Sequence, residues 1–199
     1  MSDLISRLKK RAVEKRAPSV TIDGRILFLV DNADGVKRQL GGEDLPLDHG
    51  MAYRDDISTD EITPAWVCYY FDETLGQFPY VGFRAGGEFP IERNSIKNGN
   101  FGVAVSGKRR GKGSSREASP YAEKCAGIGL VVAENIERIY QQNCHNLGLL
   151  TTTDFSILER IRAGETIPLE FFLEGKDPVT RQIVEWGGLF EFNLARLQG

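Results

Sequence analysis

The 199-residue chain reads as an α/β protein, and two observations carry that reading. Short apolar runs, notably Leu130 to Ala133 and Leu149 to Thr151, have the brevity of buried strands, and Gly129 or Gly148 precedes each. They alternate with stretches of helical periodicity in β-α-β-α order, the pattern of helices packed on a sheet.

The elements follow in order. Residues 1–18 form an N-terminal extension in which Leu4, Ile5 and Leu8 stand among basic residues. That pattern suits a short amphipathic helix docking on a partner or a frayed basic tail. Residues 19–199 read as a single domain. Val20 and Ile22, the turn dipeptide Asp23-Gly24, then Ile26 to Val30 predict a hairpin over 19–30. Residues 31–54 are polar, with little periodicity, and read as an insertion or long connection. Tyr80 to Phe83 and Phe101 to Val105 read as strands. Ser119 is placed to cap a helix with Pro120 at its first position, continuing to Ala126. After Leu130 to Ala133 comes a helix with Ile136, Ile139, Tyr140, Asn143 and Leu147 on one face, closed by Gly148. Asp154 opens a third helix with Phe155, Leu158 and Ile161 inward, ended by Gly164. Asp177-Pro178 opens a fourth, stopped by Gly187-Gly188.

Composition narrows the function classes. Hydrophobic content of 41% and charged content of 27% are those of a globular protein, and no apolar run approaches the ~20 residues that span a membrane. The N-terminus lacks the apolar core and cleavage site of a signal peptide. With 25 basic against 28 acidic residues, one short run at Lys108 to Lys112 gives weak support for a nucleic-acid partner. Cys68, Cys125 and Cys144 are scattered and odd in number, and His49 and His145 are isolated, so a self-contained metal or iron–sulfur site has little support. Free thiols suggest a cytoplasmic protein, and Cys144, on a helical stretch, reads as packed rather than reactive.

The most informative string is Gly111-Lys112-Gly113-Ser114-Ser115-Arg116-Glu117. Glycines let backbone N–H groups approach a ligand, a following helix start favours anions, and an arginine can grip a carboxylate or phosphate with two hydrogen bonds. The string equally suits a glycine-rich surface turn. It is not a P-loop, because Ser106 stands where the first glycine belongs and Gly113 follows Gly111-Lys112. Some fifty residues upstream stands Asp55-Asp56-Ile57-Ser58-Thr59-Asp60-Glu61-Ile62-Thr63-Pro64-Ala65, which by itself would pass for a capped turn.

The two strings together resemble the swivel domain of the aconitase superfamily, and in size and order the small subunits of the isopropylmalate dehydratase type. Glu134 to Asn143 with Cys144, Asn146, Gly148 to Leu150, and Gly187 to Leu189 extend the resemblance over about residues 54–195. It implies a swivelling β/β/α domain with helices packed on a mixed sheet. It also implies half of a hydro-lyase that isomerises a 2-substituted malate by dehydration and rehydration, 3-isopropylmalate first; the alternatives are the same chemistry on 2-methylmalate, dimethylmalate, a homocitrate-like acid or phosphonomethylmalate, and a non-catalytic binding module that keeps the fold. The [4Fe–4S] cluster would sit on a separate large subunit, with no metal ligand here, and the substrate would be a small di- or tricarboxylate. Matched residue by residue, Ser114 is the base that takes a proton from carbon, Ser115 and Arg116 hold a substrate carboxylate, and Thr59, Asp60 and Thr63 face the same cleft. Three departures bear on the substrate: Ala118 where relatives usually have histidine, the insertion before the Asp-rich string, and the basic Lys108-Arg109-Arg110 run. Trp66, Tyr69, Tyr70 and Phe71, after Pro64, suit either an apolar wall for the malate substituent or simple core.

Overall fold

The structure is a computed structural model that describes residues 2–47 and 52–198. His49 and the end of the 31–54 connection fall partly in 48–51, outside the described residues. In chain order the helices and strands are α1 (Ser2–Lys9), β1 (Ser19–Val20), β2 (Arg25–Phe28), α2 (Ala33–Leu40), α3 (Thr59–Ile62), α4 (Ser95–Asn98), β3 (Phe101–Ser106), α5 (Ala118–Cys125), β4 (Leu130–Ala133), α6 (Arg138–Leu147), β5 (Leu150–Thr152), α7 (Ile157–Arg162), β6 (Ile167–Pro168), α8 (Pro178–Glu185) and α9 (Leu189–Gln198).

Strands β2-β3-β4-β5 form a parallel sheet in sequence order, with Val103 opposite Ile26 and Leu130, and Leu130 opposite Leu150. β3 and β4 are buried along their whole length, which is why they read as unbroken apolar runs. The antiparallel component of the expected mixed sheet stands apart, as the pair β1–β6. Because strand order advances in one direction, right-handed crossovers bring successive helices to one face, and α5 and α6 pack against each other there. The loops after β3 and β4 therefore emerge side by side at the C-terminal edge of the sheet, where α/β proteins place ligands.

Several elements differ from the sequence reading. There is no 19–30 hairpin: β1 pairs with β6, and β2 runs parallel to β3. Asp23-Gly24 turns the chain from one sheet to the other, so the dipeptide marked the turn but not the pairing. The 31–54 connection contains α2, capped by the Asn32 side chain and anchored by buried Gln39, whose amide bonds both the N–H and C=O of Phe28. Tyr80 to Phe83 is a turn rather than a strand. Tyr80 has φ 67°, and its N–H donates to the Ile62 carbonyl at 2.8 Å. Its apolar character reflects burial without extension. The inward stripe of α6 is Tyr140 and Cys144, with Ile136 buried just ahead of the helix, while Ile139 is 56% exposed. Asp154 accepts from the Ser156 N–H one turn ahead of α7, whose Leu158 and Ile161 are buried. α9 lies outside the predicted elements, as do the 3₁₀ turns at Ala65–Tyr69 and Glu73–Gln77, where Val67, Leu75 and Phe78 form a second small core with Ala122. α1 packs on α9.

Candidate active site

Two loops make one wall of a cleft. The segment before α3 and the loop after β3 run alongside each other: Gly111 N–H donates to the Ile57 carbonyl at 2.8 Å, and Thr59 N–H to the Lys112 carbonyl at 2.9 Å. Ser58 caps α3 in a capping box with Glu61, which fixes the entry of that segment. Gly111 and Gly113 are required here by different constraints. Gly111 has φ 80°, and a Cβ on it would lie 2.2 Å from Cγ of Tyr140. Gly113 has φ 104°, and its Cβ would meet only Thr59 Oγ1 at 3.5 Å.

This pairing brings the matched residues together. Thr59 Oγ1 donates to the Ser114 carbonyl at 3.0 Å and lies 3.4 Å from Ser114 Oγ. With its proton committed to the carbonyl, Thr59 is an acceptor towards the Ser114 hydroxyl. Arg116 donates to Asp60 Oδ1 and, at 3.3 Å, to the Thr63 carbonyl, so its guanidinium is held from two directions. Thr63 Oγ1 is buried and pairs with Ser119 Oγ at 2.6 Å. It braces the loops and does not open onto the cleft. Ser119 accordingly does not cap α5. It lies in the first turn, buried, and donates to the Thr59 carbonyl at 3.2 Å, while Glu117 occupies the capping position without a side-chain bond.

The cleft, about 620 Å³, is lined on one side by Gly111 to Arg116 and on the other by Glu137 to Tyr140, Gln142 and Asn143 from α6 and its approach. Ser115 is on the lining; Thr59, Asp60 and Thr63 are not, Thr59 and Thr63 being buried and Asp60 exposed beside Arg116. The aromatic loop is not on it. Trp66, Tyr69, Tyr70 and Phe71 are 59%, 85%, 42% and 90% exposed, so none is buried core or cleft wall in this chain, although Trp66 and Tyr70 rest on Phe78 of the second small core. The basic run is dispersed. Arg109 pairs with Asp56 at 2.6 Å, Lys112 approaches Asp56 at 3.4 Å and lines the cleft, Lys108 reaches Glu134 at 4.0 Å, and Arg110 is wholly buried against Glu123. The three thiols are separate, with Cys144 buried and its thiol pushed well up by burial. Among the described residues no three metal-ligating side chains converge, and no helix is long and apolar enough to cross a membrane.

Residues 85–154, which carry the loop after β3, match the aconitase C-terminal domain family. The isopropylmalate/citramalate isomerase small subunit of Methanocaldococcus jannaschii is 33% identical over 148 residues, covering 73% of this chain and 84% of that protein. The chain belongs to the small-subunit family of the 3-isopropylmalate dehydratases. The Syntrophus aciditrophicus member, a 3-isopropylmalate dehydratase small subunit, is 31% identical over 159 residues, covering 72% of this chain and 92% of its own. The crystal structure of 3-isopropylmalate dehydratase (LeuD) from M. jannaschii superposes with a TM-score of 0.53 at 28% identity, over 71% of this chain and 89% of that one. The relatives are small subunits of hydro-lyases of the aconitase superfamily. Membership accounts for the α/β architecture and for the loop that follows β3.

Sequence reasoning missed two buried groups. One is the Arg110–Glu123 pair, read only as part of a basic run. The other is His145, 4% exposed beside Thr151 Oγ1 at 3.1 Å, with its pKa lowered to about 4 chiefly by burial and further by Lys176. Glu123 carried a usable signal: it sits on the same helical face as Ser119, Ala122 and Ala126, all buried, and an acid on an inward stripe calls for a buried partner.

Proposed function

We propose that this chain is the small subunit of a two-subunit hydro-lyase that dehydrates and rehydrates a substituted malate, with 3-isopropylmalate the first substrate to test. 2-Methylmalate comes second, because one of the relatives is an isopropylmalate/citramalate isomerase small subunit. The observation that carries the reading is the juxtaposition of the Ser114 hydroxyl, Thr59 Oγ1 and a doubly anchored Arg116 at one cleft. We read residues 19–199 as the swivel domain and 1–18 as an extension laid on it.

Ser114 is the base that takes the proton from carbon. Thr59 Oγ1, as acceptor, turns the hydroxyl, and the positive charge of Lys112 and Arg116 along the lining favours the alkoxide form. Arg116 receives a substrate carboxylate through the edge not used by Asp60, with Ser115 beside it. Asp60 and Thr63 act through Arg116: they aim it. The thiols of this chain do not converge on a site, so we assign the [4Fe–4S] cluster, and with it the Lewis acid for the departing hydroxyl, to the large subunit.

The test is anaerobic co-expression with the large subunit of the same genome, followed by a panel of isopropyl-, methyl-, carboxymethyl- and phosphonomethyl-malates. Turnover of the isopropyl or methyl compound is expected. The chain alone, freed of contaminating enzyme, is expected to bind no iron and show no activity. Turnover without a partner would refute the two-subunit reading. A panel wholly inert with a cluster-loaded partner would refute the reaction.

A further inference from the structure

Beneath the cleft lie four side chains with no part in the chemistry proposed above. Arg110, Glu123, Tyr80 and Tyr140 are at most 2% exposed. Arg110 Nη2 donates to the Tyr80 hydroxyl oxygen at 2.6 Å and to Glu123 Oε1. The Tyr80 hydroxyl donates to the same carboxylate oxygen, and the Tyr140 hydroxyl to Oε2. The guanidinium carbon stands 5.1 Å from the Tyr80 ring centre and 5.7 Å from that of Tyr140.

We propose that Arg110 and Glu123, with Tyr80 and Tyr140, are positioning residues for the Ser114 loop: a buried ionic brace that fixes the loop against the other walls of the cleft. Each member comes from a different segment of the chain. Arg110 immediately precedes the loop, and Glu123 lies in α5, which immediately follows it, so the ion pair ties the two ends of the loop together. Tyr80 belongs to the turn whose N–H holds the end of α3, the helix bearing Asp60. Tyr140 lies on α6, lines the cleft, and abuts Gly111 with its ring. The main chain of Arg110 completes the frame: its N–H donates to the Asn135 carbonyl at 3.0 Å, and its carbonyl accepts from Glu137 N–H at 2.9 Å.

Stability alone is a poor reason for such a cluster. A buried ion pair commonly contributes no more than a well-packed apolar pair of the same volume, because both charges lose their hydration. Here, among the described residues, Arg110 Nε and Nη1 make no hydrogen bond. What charged and hydroxyl groups offer over apolar ones is direction. The bonds through Arg110 Nη2, the two tyrosine hydroxyls and both Glu123 oxygens form together in a single arrangement, and that arrangement sets where Gly111 and Ser114 lie.

The catalytic consequence rests on the reading of Ser114 as the base, so the first measurement does not depend on it. Hydrogen exchange is followed in the full chain for Glu123→Gln and for Arg110→Met/Glu123→Leu. Glu123→Gln leaves the Arg110 charge paired only with neutral acceptors and costs stability; the double variant removes both charges together, so it decides the matter should the single variant fail to fold. The amides of Thr59, Gly111 and Glu137, which bond across the seams, are expected to exchange at least tenfold faster, with β3 and β4 unchanged. No acceleration at these amides in the folded double variant, or equal acceleration throughout the sheet, would overturn the brace. In the enzyme assembled with its large subunit, both variants are expected to lose at least tenfold in kcat with KM within threefold. A folded, associated double variant with kcat within twofold of wild type would overturn the positioning role. An inactive wild-type assembly would count against the proposed reaction alone, and the exchange data would still decide the brace.

Discussion

Gly111→Ala and Gly113→Ala should differ in cost, and the difference measures how firmly the Tyr140 ring is held. Both glycines have positive φ, 80° and 104°. An alanine at either place carries a backbone penalty of about 1–3 kcal/mol. Only at Gly111 does the new methyl also collide, at 2.2 Å from Cγ and 2.4 Å from Cβ of Tyr140. These atoms are the root of the side chain, so a small rotation cannot clear them. The hydroxyl at the far end is fixed to Glu123. Overpacking of this kind adds about 1–3 kcal/mol, and displacement of residue 111 also strains its bond to the Ile57 carbonyl. Gly111→Ala is therefore expected to lie about 1–3 kcal/mol below Gly113→Ala in unfolding free energy. Urea unfolding of the isolated chain, compared at a common m-value, reads the difference directly. Equal losses, within about 0.5 kcal/mol, would show that Tyr140 moves aside and that the loop is not pinned where the structure places it.

Three further outcomes follow from the same geometry. Ser114→Ala in the assembled enzyme should lower kcat by about 10²–10⁴ with unchanged melting and subunit association; activity within twofold of wild type would move the base to Ser115 or elsewhere. Arg116→Lys should weaken substrate binding at least tenfold, since loss of a charged hydrogen bond costs about 1.5–3 kcal/mol and lysine cannot serve Asp60, the Thr63 carbonyl and a carboxylate together; an unchanged KM would place the guanidinium outside the substrate site. His145 sets a pH dependence. Its folded-state pKa, about 4, lies below the ordinary 6.5. As pH falls between those values the unfolded chain takes up the proton first, so stability falls with pH, by up to about 1.4 kcal/mol per unit. His145→Gln should remove that slope, and parallel wild-type and variant curves from pH 7 to pH 4 would show that burial does not hold the ring neutral.

The parts of the fold that were legible in the sequence are those where one physical signal dominates. Leu130 to Ala133 is buried on both faces, and its apolar run says so. Asp177 before Pro178 caps α8 through two backbone N–H groups, the bond its side chain favours. Gly148 closes α6 with φ 77°, where only glycine is relaxed. The readings failed where a local signal was asked for tertiary information. Asp23-Gly24 states that the chain turns, not which strand receives it. Ser119-Pro120 has the composition of a helix start, yet Ser119 is drawn inward by the Thr59 carbonyl and Thr63 hydroxyl, groups some sixty residues away in sequence. The site followed the same rule. That Ser114, Arg116 and Asp60 belong to one candidate site was readable only as what a family resemblance carried by short strings implies. Arg110 was hidden because a run of basic residues has no periodicity to say which one points inward.

The open side of the cleft has its own chemical consequence. Ser114 and Ser115 are exposed, and Arg116 retains part of its surface. A serine hydroxyl in contact with bulk water is a poor base, because solvent screens the Lys112 and Arg116 charges that would favour its alkoxide. The same charges act far more strongly once water is excluded. Among the described residues the large apolar side chain at the cleft is Ile139, which forms part of the lining and is 56% exposed, while Trp66, Tyr69 and Phe71 face outward away from it. In the proposed enzyme a large subunit that covered this side would do more than carry the cluster. By excluding water it would raise the effective strength of every charge that Gly111 to Arg116 presents. On the proposed reading, activation of Ser114 and assembly of the two subunits would be a single event, and a substrate carboxylate gripped by Arg116 would be sealed in with the base that acts on it.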